Sequence, residues 1–388
     1  MKITDVRATL LSAVVPEEKR WRTDLGVAVK MDNCIVEVET DEGITGIGAG
    51  QGNPEVVKAV VETQLRPQLL GRDPCLIEGH WERMYSGSRG EPALARGYPQ
   101  PGSSRRGDTL CAIAGVDIAL WDILGKSLGQ PIYRLLSAAR TSVRAYASGG
   151  WAPGEHAGDE MAGYAAKGFT AVKMRAEGRD GFSLDKAATR VAAARRALGK
   201  DVEIMVDAHG SLDVSTAKRL ARILEEQGVA WFEEPVSYDN HAGQAEVRAS
   251  TTVPISSGES ESTRFDVLDL LRMNAVDILQ PDIAIAGGFT ECRRISALAH
   301  AHGVRLAPHV WSSGVIVAAS IHLAMHAPAC HIFEVSQSAS PLIWELFEEP
   351  FEIEDGYVRA VDRPGLGFTL REGLDDRFPF VPGPAYVY

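Results

Sequence analysis

The sequence predicts an α/β protein centred on a closed parallel barrel, with β-rich segments at both chain ends forming a separate unit. Three observations carry this. From about residue 141, eight short β-rich runs alternate with helical stretches, and that alternation implies a parallel sheet. Eight strands are the number that closes a TIM-type barrel. Gly168, Gly199 and Gly228 each stop a helix just before the next strand, as a helix C-cap should.

The elements follow in order. Residues 1–50 read as β structure, and "NCIVEVETDEGITGIGAG" pairs two β-rich runs around Asp-Glu-Gly, a hairpin signal. Residues 53–71 read as a helix opened by Asn53 and Pro54 and closed by Gly71. The stretch 86–108 is rich in Gly, Pro, Ser and Arg and reads as a long loop, the usual form of a lid or a disordered segment. Residues 109–129 form a strongly apolar helix. The barrel strands are then "VRAYA", "AVKM", "EIMVDA", "VAWFEEP", "VPISSGE", "VDILQPD", "VRLAPH" and "HIFEV". The tail "FEIEDGYVRAVDRPGLGF" returns to hairpin-like β sequence and is expected to rejoin the N-terminal unit.

Bulk properties narrow the function classes. The chain has 388 residues, 45% hydrophobic and 24% charged, with a net charge of −12. That length suits two domains. The acidic balance argues against nucleic acid as a partner and leaves an anionic substrate in need of local cations or a metal. No apolar run reaches membrane-helix length, and residues 1–20 lack signal-peptide order. The five cysteines form no CxxC pair, so they read as reduced structural thiols of a cytoplasmic protein.

Barrel enzymes place their chemistry at the C-terminal ends of the strands. Seven successive strands here end in ionisable residues: Lys173 and Arg175, Asp207 and His209, Glu233 and Glu234, Glu259, Asp282, His309, and Glu334. Asp207, Glu233 and Glu259 make an all-oxygen cluster. Carboxylates packed together repel, and a hard divalent cation such as Mg²⁺, with Mn²⁺ as a substitute, removes that cost. Asp282 and His309 end adjacent strands, and a carboxylate beside an imidazole fixes its tautomer and makes a general base.

These motifs resemble the enolase superfamily, mandelate racemase/muconate lactonizing enzyme family, in its mandelate racemase branch. The residues carrying the resemblance are "AIAGVDIALWDILGKSLGQPIYRLL", "KMR", "VDAHG", "FEEP", "SGES", "QPDIAIAGG", "PHVW" and "FEV", in that order over nearly the whole chain. The resemblance implies a (β/α)7β TIM-type barrel with an α+β capping domain formed by the N-terminal segment and the C-terminal tail. We divide the chain accordingly into 1–130 for the cap, 131–345 for the barrel and 346–388 for the returning segment. It further implies one Mg²⁺ per subunit on Asp207, Glu233 and Glu259, and abstraction of the proton α to a substrate carboxylate. Lys173 matches the lysine that meets that carboxylate. Glu334 matches a glutamate that must be protonated to hydrogen-bond the enediolate, and burial among acids is the expected means.

Two departures shape the expected reaction. The racemase motif is K-x-K, whereas this chain has Lys173 and Arg175. Arginine, with a pKa above about 12, is a poor base, so proton abstraction moves to His309. His209 stands where the racemase has asparagine. It either protonates a leaving hydroxyl or hydrogen-bonds a metal ligand. One base, one metal and one or two acids fit a hydro-lyase: dehydration of an aldonic or aldaric acid to a 2-keto-3-deoxy acid. A sugar-lactone cycloisomerase or an epimerase begins with the same step and stays open, while a barrel that binds without turnover is disfavoured by the complete ligand set. Specificity is expected from the cap, where Arg20, Trp21 and Arg22 in "PEEKRWRTDLG" are candidate contacts, with Arg105 and Arg106 weaker ones, and from Trp311 on the barrel. The resemblance alone implies a homo-oligomer, since members of the family are often octamers.

Overall fold

The computed structural model describes residues 1–388. Strands β1 (Ile3–Val14), β4 (Lys30–Thr40) and β5 (Thr45–Gly50) form an antiparallel sheet in the order β1-β4-β5. The β4–β5 hairpin is the one expected around Asp41-Glu42-Gly43. On β5 the sequence Gly46-Ile47-Gly48-Ala49-Gly50 puts three glycines on one face. The helix Asp108–Leu128 lies so close there that a Cβ at Gly46 or Gly48 would stand 2.0 Å from the Ala119 carbonyl oxygen or 1.9 Å from that of Gly115. Side chains every second residue on the strand meet carbonyls every fourth residue on the helix, so only glycine permits the contact.

Asn53 caps the helix that starts at Pro54, its side chain accepting from the amides of Glu55 and Val56. The stretch 86–108 is not one long loop: Gly90–Arg96 is helical, with Ala93 buried and Glu91 accepting from Arg83 at 2.7 Å. Arg106 is turned to the Tyr85 hydroxyl and to Asp266, and Arg105 to Gln64, so neither reaches the barrel mouth.

The barrel consists of β6 (Ser142–Gly149), β7 (Ala171–Arg175), β8 (Glu203–Asp207), β9 (Trp231–Glu233), β10 (Ile255–Ser257), β11 (Ile278–Leu279), β12 (Arg305–Leu306) and β13 (Phe333–Ser336). They pair in parallel in chain order from β6 to β12, and β13 pairs with β6. A parallel bridge between Leu306 and Cys330 closes the ring. Helices connect each strand to the next, giving (β/α)7β.

The inward side chains fall into layers. Tyr146, Ala171, Met205, Trp231, Ile278, Ala307 and Ile332 form a dry, buried floor. Two residues further along each strand come Ser148, Lys173, Asp207, Glu233, Gln280, His309 and Glu334. The period-two pleat therefore stacks a polar layer directly on an apolar one.

The tail departs from expectation. Its hairpin, β14 (Ile353–Glu354) and β15 (Tyr357–Arg359), extends the barrel sheet, with β15 antiparallel to β6, and does not join the cap. The chain reaches the N-terminal unit only later. Pro379 bridges Leu11, and β16 (Tyr386–Val387) pairs with β3 (Gly26–Ala28), which itself pairs with β2 (Arg22–Thr23). All five cysteines are free, with only Cys75 exposed, and no helix is long and apolar enough to cross a membrane.

Candidate active site

A chamber of about 730 Å³ lies between the C-terminal ends of the strands and the cap. Of the residues singled out in the sequence, Trp21, Lys173, Arg175, Asp207, His209, Glu259, His309, Trp311 and Glu334 line it. Glu233 and Asp282 lie behind this surface, fully buried. Arg20 is absent from the wall. Its guanidinium turns back toward the Val15 carbonyl at 3.4 Å, because the 3-10 turn before it aims the side chain away from the barrel.

Lys173 leaves β7 in the polar layer. Its ammonium contacts Glu233 and, at 2.9 Å, Glu334 Oε1. Burial alone would lower its pKa, but Glu233 and Glu334 outweigh that and hold it charged. Arg175, one layer higher, donates to Asp207 Oδ2 at 2.8 Å and to Asp24 Oδ1 at 2.6 Å. Here too the carboxylates outweigh burial and raise its pKa further, so it remains a fixed cation.

His309 Nδ1 lies 2.7 Å from Asp282 Oδ2, and Asp282 Oδ1 accepts from the Ala284 amide at 2.7 Å, capping the short helix Ile283–Ala286. The ring is thus held at Nδ1 and presents Nε2, 3.7 Å from Glu259 Oε2. Burial would lower the His309 pKa, and Glu259, Glu334 and Asp282 together reverse that.

His209 enters the chamber by a route the strand pattern does not provide. β8 ends at Asp207, and His209 sits in a turn at φ +49°, with its amide donating to Asp207 Oδ1 at 2.7 Å. Left-handed backbone at a non-glycine residue is uncommon and clusters at functional sites. It is this turn, and not strand alternation, that aims the ring inward. His209 Nδ1 lies 2.8 Å from Asp24 Oδ2, and Nε2 lies 3.6 Å from Glu259 Oε1. Burial lowers the His209 pKa and the bond to Asp24 more than restores it.

Asp24 was not among the sequence candidates. It occupies the β2–β3 turn, inside the "PEEKRWRTDLG" segment that was expected to cover the barrel, next to residues chosen for size and positive charge. Trp151 was missed as well. Its ring stands 5.7 Å from Trp21 and 6.4 Å from Trp311, centroid to centroid, and the three indoles make an aromatic wall. An aspartate beside a tryptophan-containing loop was the available signal, and nothing local distinguished it.

Glu334 differs from the expected protonated form. Burial pushes its pKa up, but Lys173 and His309 overcome this and leave it below the usual value. Its Oε2 accepts from the Val310 amide at 2.8 Å, and both oxygens are engaged as acceptors.

The three expected metal ligands stand on adjacent strands, with Asp207 in register with Glu233 and Glu233 with Ser256. Their side chains are not gathered around one point, and no three His, Cys, Asp or Glu residues in the chain are so arranged. Glu233 Oε2 instead accepts from Trp231 Nε1 at 3.0 Å and Gln280 Nε2 at 2.8 Å. The donor chemistry nevertheless suits a hard cation. Burial pushes Glu233 up; Lys173 opposes this, and Asp207 and Glu259 add to it. Glu234 is raised by burial and then by Glu259 and Asp207, and its Oε1 is buried with no hydrogen-bond partner. Oxygen donors crowded beyond what Lys173 and Arg175 neutralise fit a divalent ion of the Mg²⁺ type.

Comparison with known proteins gives an independent result. Residues 9–137 match the model for the mandelate racemase / muconate lactonizing enzyme N-terminal domain, and residues 156–374 match the enolase C-terminal domain-like model. The chain is 34% identical to an arabinonate dehydratase of Saccharolobus solfataricus, covering 90% of this chain and 91% of that one. It is 36% identical to a D-galactarolactone cycloisomerase of Agrobacterium fabrum, covering 97% and 98%, and 36% identical to a D-galactonate dehydratase of Ralstonia pickettii, covering 88% and 89%. A putative mandelate racemase from Bordetella bronchiseptica superposes with a TM-score of 0.91 at 37% identity, over 100% of this chain and 97% of that one. A racemase from Streptomyces coelicolor, described with bound magnesium, superposes with a TM-score of 0.82 at 30% identity, over 95% and 97%.

Proposed function

The chain belongs to the mandelate racemase/muconate lactonizing enzyme family of the enolase superfamily, and from that premise we propose that it is an acid-sugar dehydratase, a hydro-lyase acting on an aldonate. The carrying observation is the asymmetry of the chamber's acid–base groups. His309, held by Asp282, turns Nε2 into the chamber beside Glu259, whereas the position on β7 is Arg175, a fixed cation between Asp207 and Asp24. An arginine where the racemase has its second base suits elimination and not two-base racemisation.

Asp207, Glu233 and Glu259 would hold a Mg²⁺ ion, with Mn²⁺ as the substitute that an all-oxygen set accepts. Bound there, the ion supplies positive charge beside the substrate carboxylate and so acidifies the C2 proton. His309 Nε2 takes that proton. Lys173, with three N–H donors of which two contact Glu233 and Glu334, offers the third to the carboxylate as its charge grows. The C3 hydroxyl leaves as water, with its proton supplied from Nε2 of His209 or His309, and the enol becomes a 2-keto-3-deoxy acid. The aromatic wall of Trp21, Trp151 and Trp311 excludes water from one side.

A monocarboxylate is favoured over a dicarboxylate. The one cation on the cap side of the chamber, Lys30, is paired with Asp32 at 2.8 Å and with the Val381 carbonyl. Gln51 and Asn53 of the cap, with Ser260 and Ser262 of the barrel, suit hydroxyl groups, and Asp108 opposes a second carboxylate. The family resemblance further implies a homo-oligomer, an octamer, which light scattering would test, and the unpaired cysteines suit a cytoplasmic setting.

Incubation with Mg²⁺ and a library of aldonates should yield a 2-keto-3-deoxy acid from at least one. No keto acid from any of them would sink the reading. A second reading, a sugar-lactone cycloisomerase, draws on the cycloisomerase relative aligned over 97% of this chain. It requires a product of unchanged mass from a lactone.

A further inference from the structure

The last strand of the chain forms part of the chamber. Residues 383–386 line its cap side together with Thr23 and Leu25 of the β2–β3 hairpin. β16 is the third strand of that small sheet, with Tyr386 opposite Ala28 and Val387 opposite Val27. The Ala385 carbonyl accepts from the Val29 amide at 2.9 Å. Further back, the Val381 amide donates to Ser12 Oγ at 3.0 Å, and the Val381 carbonyl accepts from the Lys30 ammonium. Gly26, at φ +108°, lies so near the last strand that a Cβ there would stand 2.6 Å from the Val387 carbonyl oxygen. The tail is thus strapped to the cap by main-chain bonds that do not depend on which side chain stands at position 386.

Strand alternation then decides where the side chains go. Val387 is turned outward and 39% exposed, whereas Tyr386 is half-buried in the chamber wall. The Tyr386 hydroxyl has no hydrogen-bond partner in the protein, although Arg175 and Asp24 stand near enough for their charges to act on it. Height within the chamber gives this position its meaning. Lys173, in the polar layer, offers an N–H to the substrate carboxylate, so C1 lies deep and His309 acts on C2 just above it. Arg175 stands two residues further along β7 and reaches up to Asp24 of the cap at 2.6 Å. Tyr386 lies at that upper level, where the carbons beyond C3 arrive.

From this geometry we infer that Tyr386 is a specificity-determining residue: its ring closes the chamber above Arg175, and its unpaired hydroxyl hydrogen-bonds a hydroxyl of the aldonate beyond C3, so that the end of the polypeptide sets the length of acid the enzyme accepts. The inference rests on the aldonate reading. A phenol suits the task. Its faces are apolar and pack against a carbon chain, while its tip both donates and accepts and so matches a sugar hydroxyl of either orientation. A charged group left unpaired at the same place would cost more to bury.

The test is a ladder of aldonates from pentonate to heptonate, assayed with Mg²⁺ for keto-acid formation by wild type and three variants. Tyr386→Phe keeps the ring and the strap, and should raise KM for the preferred acid by roughly fivefold, the scale of one hydrogen bond. Tyr386→Ala opens the upper end of the chamber and should move kcat/KM toward the longer acids by roughly tenfold relative to the preferred one. Tyr386→Trp should move it toward the shorter acids by a similar factor. Opposite shifts from a smaller and a larger side chain are a signature that a merely structural residue does not give. Equal losses across the ladder in all three variants would overturn the inference in favour of simple anchoring of the tail. Wild type that yields no keto acid from any member would end the dehydratase reading separately. Binding then decides the role of Tyr386 without turnover, read from the tryptophan emission of the aromatic wall as each acid is added with Mg²⁺. A length preference in Kd that moves in opposite directions in Tyr386→Ala and Tyr386→Trp supports the inference. A preference common to all four proteins, or no binding of any acid, refutes it.

Discussion

Replacing Asp282 by asparagine tests the proposed base with little disturbance of shape. Asp282 is fully buried, and Asn Oδ1 can keep the hydrogen bond from the Ala284 amide. Its NH₂ would then face His309 Nδ1, which must accept, leaving the proton on Nε2 where the base should be free. Removing the carboxylate also removes its attraction for the imidazolium that forms as the C2 proton arrives. At the 2.7 Å separation and an effective dielectric of about 20, that attraction is about 6 kcal/mol. The figure is a ceiling, since burial pushes the Asp282 carboxyl up and part of the gain offsets the cost of keeping it ionised. General-base contributions of roughly 10²- to 10⁴-fold give the working range. We expect C2 exchange and keto-acid formation to fall together by about 10³-fold, or about 4 kcal/mol of barrier. The assay is proton NMR of substrate in D₂O alongside keto-acid detection, with thermal melting as the check on folding. Exchange within about threefold of wild type in a folded Asp282→Asn protein would refute His309 as the base.

Other outcomes follow from the same structure. Excess chelator should abolish turnover and lower the melting temperature, and added Mg²⁺ should restore both; full activity in chelator would remove the metal assignment. Gly26→Ala, next to the β3–β16 pairing, should force the last strand away, at a strain of about 1–3 kcal/mol, and speed proteolytic trimming of the tail; trimming at the wild-type rate would contradict that close packing. His322 is fully buried, with Nδ1 accepting from the Tyr133 amide and Nε2 facing the Leu366 carbonyl, and burial pushes its pKa down to about 4. The unfolded chain binds its proton near pH 6.5, so stability is complete above that pH and falls as pH drops toward 4, by roughly 3 kcal/mol from this residue. Urea unfolding of His322→Gln should show a shallower acid slope than wild type, and an identical slope would argue that His322 is not the titrating group.

The sequence was most informative where local geometry repeats. A barrel strand alternates faces with a period of two, so Tyr146 and Ser148, Ala171 and Lys173, Met205 and Asp207 announce floor and polar layer from the residue order alone. Asp282 and His309 were readable as a pair because their strands are neighbours in chain order. Reading failed where a position depended on a turn or on side-chain choice. His209 is aimed by a left-handed residue that ends the strand period. The ionised form of Glu334 depends on Lys173 and His309 standing beside it, a balance of burial against charge that no motif states. The tail hairpin carried a clear β signal, but an edge strand has no local mark of its partner, and it joined β6.

By itself, then, the sequence determined the fold class, the face of each strand that carries chemistry, and the unavailability of Arg175 as a proton acceptor, because these follow from periodicity, order and side-chain identity. Only the tertiary structure decided what the cap contributes. Asp24 meets Arg175 across 151 residues and His209 across 185, and the tail that secures its turn lies further still. Such contacts are fixed by how the cap and the barrel close on one another, and the entropy of closing a long loop depends only weakly on its length. No spacing in the chain therefore records them.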